Sequence, residues 1–120
     1  MRMKIEECYE QMGANYAEVL GRLRSEALIR KFMLLFPKDP TYQELKQAIE
    51  NQSGEDAFRA AHTLKGVSQN LGFDNLYRVS AELTEIFRDR TLDGSEEKVK
   101  EVDQEYKKTI DAIQAFAAEM

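Results

Sequence analysis

This sequence predicts an all-α fold: an antiparallel up-and-down four-helix bundle preceded by short N-terminal covering helices. Three observations support it. Gly and Pro are scarce, at 6 and 2 of 120 residues, which disfavours a turn-rich β architecture and leaves room for long helices. Apolar residues recur at three- and four-residue steps along four stretches after Pro40. Capping residues and helix breakers separate those stretches by short connections, the pattern of neighbouring antiparallel helices.

The elements follow in order. A first short helix spans roughly Lys4 to Met12 and ends at Gly13. Asn15 caps a second, Tyr16 to Arg22, and Ser25 followed by Glu26 opens a third that Pro37 closes. Asp39-Pro40-Thr41 starts a fourth, with Tyr42, Leu45, Ala48 and Ile49 on one side. Ser53 and Asp56 make a capping-box-like start for the fifth, which carries Ala57, Ala60, Ala61, Leu64, Val67, Ser68 and Leu71 and stops at Gly72. Asp74 is expected to cap the sixth, whose periodic residues run from Leu76 through Phe87 to Arg90. Asp93-Gly94-Ser95 reads as a turn. The seventh helix begins near Glu96, with Val99, Val102, Tyr106, Ile110, Ile113 and Ala117 on its stripe and Phe116 at the edge. Its charged stretch from Glu96 to Lys108 reads as a solvated face laced with i,i+4 pairs. The whole is expected to be one domain over residues 1–120, with covering helices over 1–37 and the bundle over 41–118.

Composition narrows the function. Seventeen Lys and Arg against 22 Asp and Glu leave a net charge of −5, so a nucleic-acid partner, which needs a basic face, is not expected. A single cysteine, Cys8, rules out an internal disulfide and a multi-cysteine zinc cluster and reads as small apolar fill. Met1 to Glu7 lacks an apolar segment of the secretory kind, and the strongest apolar run, Phe32 to Phe36, is far shorter than a membrane span. A cytoplasmic, monomeric protein without membrane partners is the expectation.

The sequence has one histidine, His62, so any histidine chemistry is located at once. At about 100° per residue with Leu64 at the centre of the buried stripe, His62 falls at roughly 160°, pointing to solvent. Its outward neighbours are Glu55, Phe58, Arg59, Lys65, Gly66 and Gln69. Gly66 sits mid-helix, where Gly costs about 1 kcal/mol relative to Ala, and its outward phase leaves core packing without a claim on it. A glycine there clears the surface beside the imidazole for an approaching partner. Lys65, three residues on, can bring an ammonium to a phosphoryl group on the ring. Phe58, one turn back, is either an apolar anchor for a partner, with Arg59 beside it, or tucked under the covering helices. Imidazole is nucleophilic in its neutral form near neutral pH, and an exposed ring allows the in-line approach that phosphoryl transfer needs.

The run His62-Thr63-Leu64-Lys65-Gly66-Val67-Ser68-Gln69-Asn70-Leu71-Gly72 resembles the phosphoacceptor motif of histidine-containing phosphotransfer (HPt) domains, His-x-Leu-Lys-Gly-x-Ser/Ala-x-x-Leu-Gly. The resemblance extends over roughly Leu45 to Val102. It implies that His62 accepts a phosphoryl group from the aspartate of a response-regulator receiver domain and relays it to another receiver. A sensor or hybrid histidine kinase stands upstream. It also implies a ring-orienting side chain on the following helix, usually Gln; the corresponding residue here is Thr84, which is shorter. Gln69, on the outward face, is the other polar candidate. No cofactor is implied for the chain itself, and magnesium would come with the receiver. No Gly-rich nucleotide loop occurs, so a phosphocarrier without its own ATP site is expected rather than an enzyme. The alternative is a helical adaptor or inhibitor of the same fold that binds receivers or kinases without carrying phosphate.

Overall fold

The computed structural model describes residues 2–120, and in them it forms seven α-helices, one 3-10 turn and no strand. The helices are α1 (Ile5–Gln11), α2 (Tyr16–Leu23), α3 (Glu26–Leu35), α4 (Thr41–Glu50), α5 (Gly54–Asn70), α6 (Asp74–Ile86) and α7 (Glu96–Ala118), with the 3-10 turn at Phe36–Lys38. The caps expected from the sequence close three of these starts, and at α4 the residue before the cap position, Asp39, bonds the first turn instead. Asn15, Ser25 and Ser53 accept from the backbone N–H groups of Glu18, Leu28 and Asp56, and the Asp39 carboxylate accepts from Thr41 N–H at 2.8 Å. Each such cap contributes about 1 kcal/mol.

Helices α4 to α7 pack as the antiparallel bundle, with α5 between α4 and α6 and α7 against α6. Side chains join α4 to α7. The Tyr42 ring stacks on Tyr106 with centroids 3.7 Å apart and planes 8° apart. The Tyr42 hydroxyl donates to Asp103 Oδ1 at 2.6 Å, and Lys46 Nζ donates to Asp103 Oδ2 at 2.8 Å. Burial first, then the Asp103 hydrogen bond, push the Tyr42 hydroxyl well above its ordinary pKa.

Helix α1 and the start of α2 are keyed to the end of the α5–α6 hairpin, while α1 and α3 also pack on α7. Gly72, at φ +72°, makes the turn, and its carbonyl accepts from Asn15 N–H at 3.1 Å. Asn75 N–H donates to the Gly13 carbonyl at 3.1 Å, and the Tyr9 hydroxyl donates to the Leu71 carbonyl at 2.8 Å. Buried Cys8 sits under α7, its Sγ 3.4 Å from the Ala112 carbonyl.

Four expectations need correction. Asp74 is the first residue inside α6 rather than its cap; Phe73 holds the cap position without a side-chain bond. Helix α6 ends at Ile86, so Arg90 leaves the apolar stripe and lies exposed in a turn at φ +60°. On α7 the stripe ends on buried Phe116, with Ala117 exposed, because a 3.6-residue period drifts over six turns. The ion pairs near the start of α7 are mostly i,i+3: Lys98–Glu101, Lys100–Glu97 and Lys108–Glu105.

Candidate functional site

Small residues put α5 in the middle of the bundle. Ala57 and Ala61 are fully buried and Ala60 nearly so, which lets the neighbouring helices approach closely, while Leu64 and Ser68 continue the same face. His62 projects from the opposite face and is exposed, at the midpoint of the helix. The helical phase read from sequence is therefore the one the bundle adopts.

The imidazole has an aromatic neighbour. The Phe58 ring, one turn back, lies with its centroid 6.1 Å from that of His62 and its plane tilted by 18°, an offset stack. Phe58 is half-buried and packs against the core edge beside the α6–α7 connection, away from the covering helices. The Arg90 guanidinium lies 3.9 Å from the Phe58 centroid, and that of Arg88 lies 6.0 Å away. Arg59 pairs along its own helix with Glu55 at 3.2 Å and Asp56 at 3.8 Å.

Lys65 is half-buried on the side of α5 that faces α6. The hydrogen bond from Arg88 holds the Glu85 carboxyl below its ordinary range, and the Lys65 charge adds to that effect. Lys65 itself closes no ion pair among the described residues, so its ammonium is available to an incoming anion. A Cβ built on Gly66 meets nothing within 4 Å, so the surface beside His62 is open there.

Neither ring-orienting candidate hydrogen-bonds the ring among the described residues. Thr84 is 1% exposed, and its hydroxyl donates to the Ser80 carbonyl at 2.7 Å, within α6. Gln69 is exposed but seven residues on, about 10.5 Å along the helix axis at the usual rise. Its backbone carbonyl accepts from Arg22 Nη2 at 2.8 Å, next to α2. Neither ring nitrogen of His62 is hydrogen-bonded among the described residues.

Sequence reasoning left Phe58 between docking a partner and a place under the covering helices and missed its stack on His62, although the i,i+4 spacing of two aromatic rings on one face is legible. It also missed Arg88 and Arg90, because nothing local shows that the chain doubles back beside α5 after Ile86. No cluster of three or more His, Cys, Asp or Glu side chains suited to a metal occurs among the described residues. Beyond the site, towards the C-terminal end of α5, an apolar groove of about 510 Å³ opens between Phe32, Leu35 and Phe36 on one side and Val67 and Leu71 on the other. Phe32 and Leu35 are 40% and 49% exposed, which is unusual for side chains of that size.

An exposed imidazole with an ammonium on one flank and a cleared surface on another can take and give up an electrophilic group presented by a second molecule. Comparison with curated proteins and with solved structures returns no match. The family described as Hpt domain matches residues 39–116, which contain α4 to α7 almost entire, the His62 motif included. With more than half of its length matched, and on the helical bundle such domains adopt, the chain belongs to the Hpt domain family, the histidine phosphotransfer modules of phosphorelays.

Proposed function

We propose that the protein is a phosphocarrier that accepts a phosphoryl group on His62 from a receiver-domain aspartyl phosphate and passes it to another receiver. The observation that carries this reading is the placement of His62. It is the only histidine, exposed at the middle of α5, inside the matched Hpt segment and beside an open glycine and a lysine that closes no ion pair among the described residues.

The step needs no proton transfer. The unprotonated ring nitrogen gives its lone pair to phosphorus as the bond from phosphorus to the donor carboxylate oxygen breaks. The carboxylate leaves with that electron pair, and the other ring nitrogen keeps its proton. Lys65 offsets charge on the transferring oxygens as a mobile point charge, and Gly66 lets the donor loop come close. The magnesium that aspartyl phosphate chemistry uses is brought by the receiver. Hpt domains as a family are carriers rather than enzymes, and this chain is read here as one without an ATP site of its own.

The exposed face of α5 around Phe58 and Arg59 would dock the receiver, and the neighbouring apolar groove with Phe32 and Leu35 would extend that contact. Histidine kinases are the other partner class of the family. Residues 1–120 act as one domain, its covering helices keyed to the bundle. No helix among the described residues is long and apolar enough to cross a membrane. A cytoplasmic monomer is the form proposed.

Transfer of label from a radiolabelled phospho-receiver to the wild type, but not to His62→Gln, with an acid-labile and alkali-stable product, would support the carrier. Receiver binding without any label would replace it with the adaptor.

A further inference from the structure

We propose that Arg90 is a positioning residue for His62, acting through the Phe58 ring; this rests on the reading of His62 as a phosphoryl carrier. Arg90 follows α6 in a left-handed turn, and its backbone is held from two directions. Its N–H donates to the Phe87 carbonyl at 2.8 Å. Its carbonyl packs so tightly on the first residue of α5 that a Cβ on Gly54 would stand 1.7 Å from the Arg90 oxygen. The side chain reaches back over Phe58, with the guanidinium carbon 3.9 Å from the ring centroid and Nε 3.7 Å from Glu55. It also donates to the Arg88 carbonyl.

The other arginines nearby are engaged elsewhere. Arg88 binds Glu85 through Nε at 2.9 Å and lies at 6.0 Å from the Phe58 centroid, while Arg59 binds Glu55 and Asp56. Among the described residues Arg90 is therefore the cation closest to the ring that stacks on His62. Phe58 packs one side against the core edge and leaves the other open, and a guanidinium on its face further restricts its rotamer. An imidazole without a ring hydrogen bond among the described residues then takes its orientation from that stack. Phosphoryl transfer is sensitive to such orientation, because the attacking nitrogen must lie in line with the leaving oxygen.

The test uses the full chain and a phosphorylated receiver, with Arg90→Gln, Phe58→Leu, the double variant and Arg90→Lys. Arg90→Gln should lower the transfer rate at saturating receiver about tenfold, as misplacement of a reacting group does, and leave the apparent KM within about twofold. The double variant should be no slower than Phe58→Leu alone, and Arg90→Lys should recover most of the rate. The carbon–proton NMR signals of the His62 ring should move in Arg90→Gln with no phosphate donor present. Unmoved ring signals, additive losses in the double variant, or a change confined to KM would overturn the proposal. Absence of transfer to the wild type would instead strike the carrier reading alone, since the ring signals judge the positioning without phosphate.

Discussion

Gly66 stands one helical turn from His62 on the exposed side of α5, and a Cβ added to it would meet no atom within 4 Å. The glycine therefore relieves no clash inside the protein. Its mid-helix position costs stability that the fold does not require.

Stability and transfer should move in opposite directions at this residue. Gly66→Ala should raise unfolding stability by about 0.5–1 kcal/mol, because the new methyl is unhindered and the unfolded chain loses freedom. The same methyl should obstruct the receiver's approach and lower kcat/KM for phosphoryl uptake about tenfold or more. Urea unfolding and a transfer assay on one preparation check both arms.

Gly54 should behave in the reverse way. An alanine there would meet the Arg90 backbone at 1.7 Å and 2.3 Å, and the backbone has no rotamer to turn away. Gly54→Ala should cost about 1–3 kcal/mol, the usual range for overpacking, seen as a lower urea midpoint with the slope unchanged.

Asp103 accepts from both Tyr42 and Lys46 where α4 meets α7. Asp103→Ala should destabilise the protein by about 1–2 kcal/mol, a charged hydrogen bond discounted for the partial exposure of the pair. The Tyr42 hydroxyl should then titrate closer to its ordinary value, readable from tyrosinate absorbance.

Burial pushes the Cys8 thiol from its ordinary value near 9 up to about 12. Between these values the unfolded chain has released the proton and the native state still holds it, so stability falls as pH rises from 9 towards 12. Cys8 alone contributes a slope of at most about 1.4 kcal/mol per pH unit, and Tyr9 and Tyr42, also raised, steepen it at higher pH. Cys8→Ala should show a shallower decline, followed by thermal unfolding over that range. At neutral pH the native thiol should resist alkylation and react once the protein is unfolded.

Most of the fold was legible because its helices announce themselves locally. Asn15, Ser25 and Ser53 are capping side chains directly before apolar stripes, and each makes the expected bond. The outward phase of His62 follows from the buried partners on its own helix. Errors arose where tertiary context decides. Arg90 keeps the period of α6 but lies beyond its end, in a left-handed turn that Gly54 on another helix receives. Thr84 has the position of a ring partner in sequence, yet its hydroxyl bonds the carbonyl one turn back, a choice short side chains make within their own helix. Phe116 displaces Ala117 on the α7 stripe because phase error accumulates over a 23-residue helix.

The most direct test of phosphoryl carriage is to locate the phosphoryl group. The wild type would be incubated with a phosphorylated receiver, kept alkaline, digested and mapped by mass spectrometry. The expected result is a phosphoryl group on the peptide bearing His62, at no other residue, and discharged when a second, unphosphorylated receiver is added. A phosphoryl group on a different residue, or none on a protein that still binds the receiver, would contradict it.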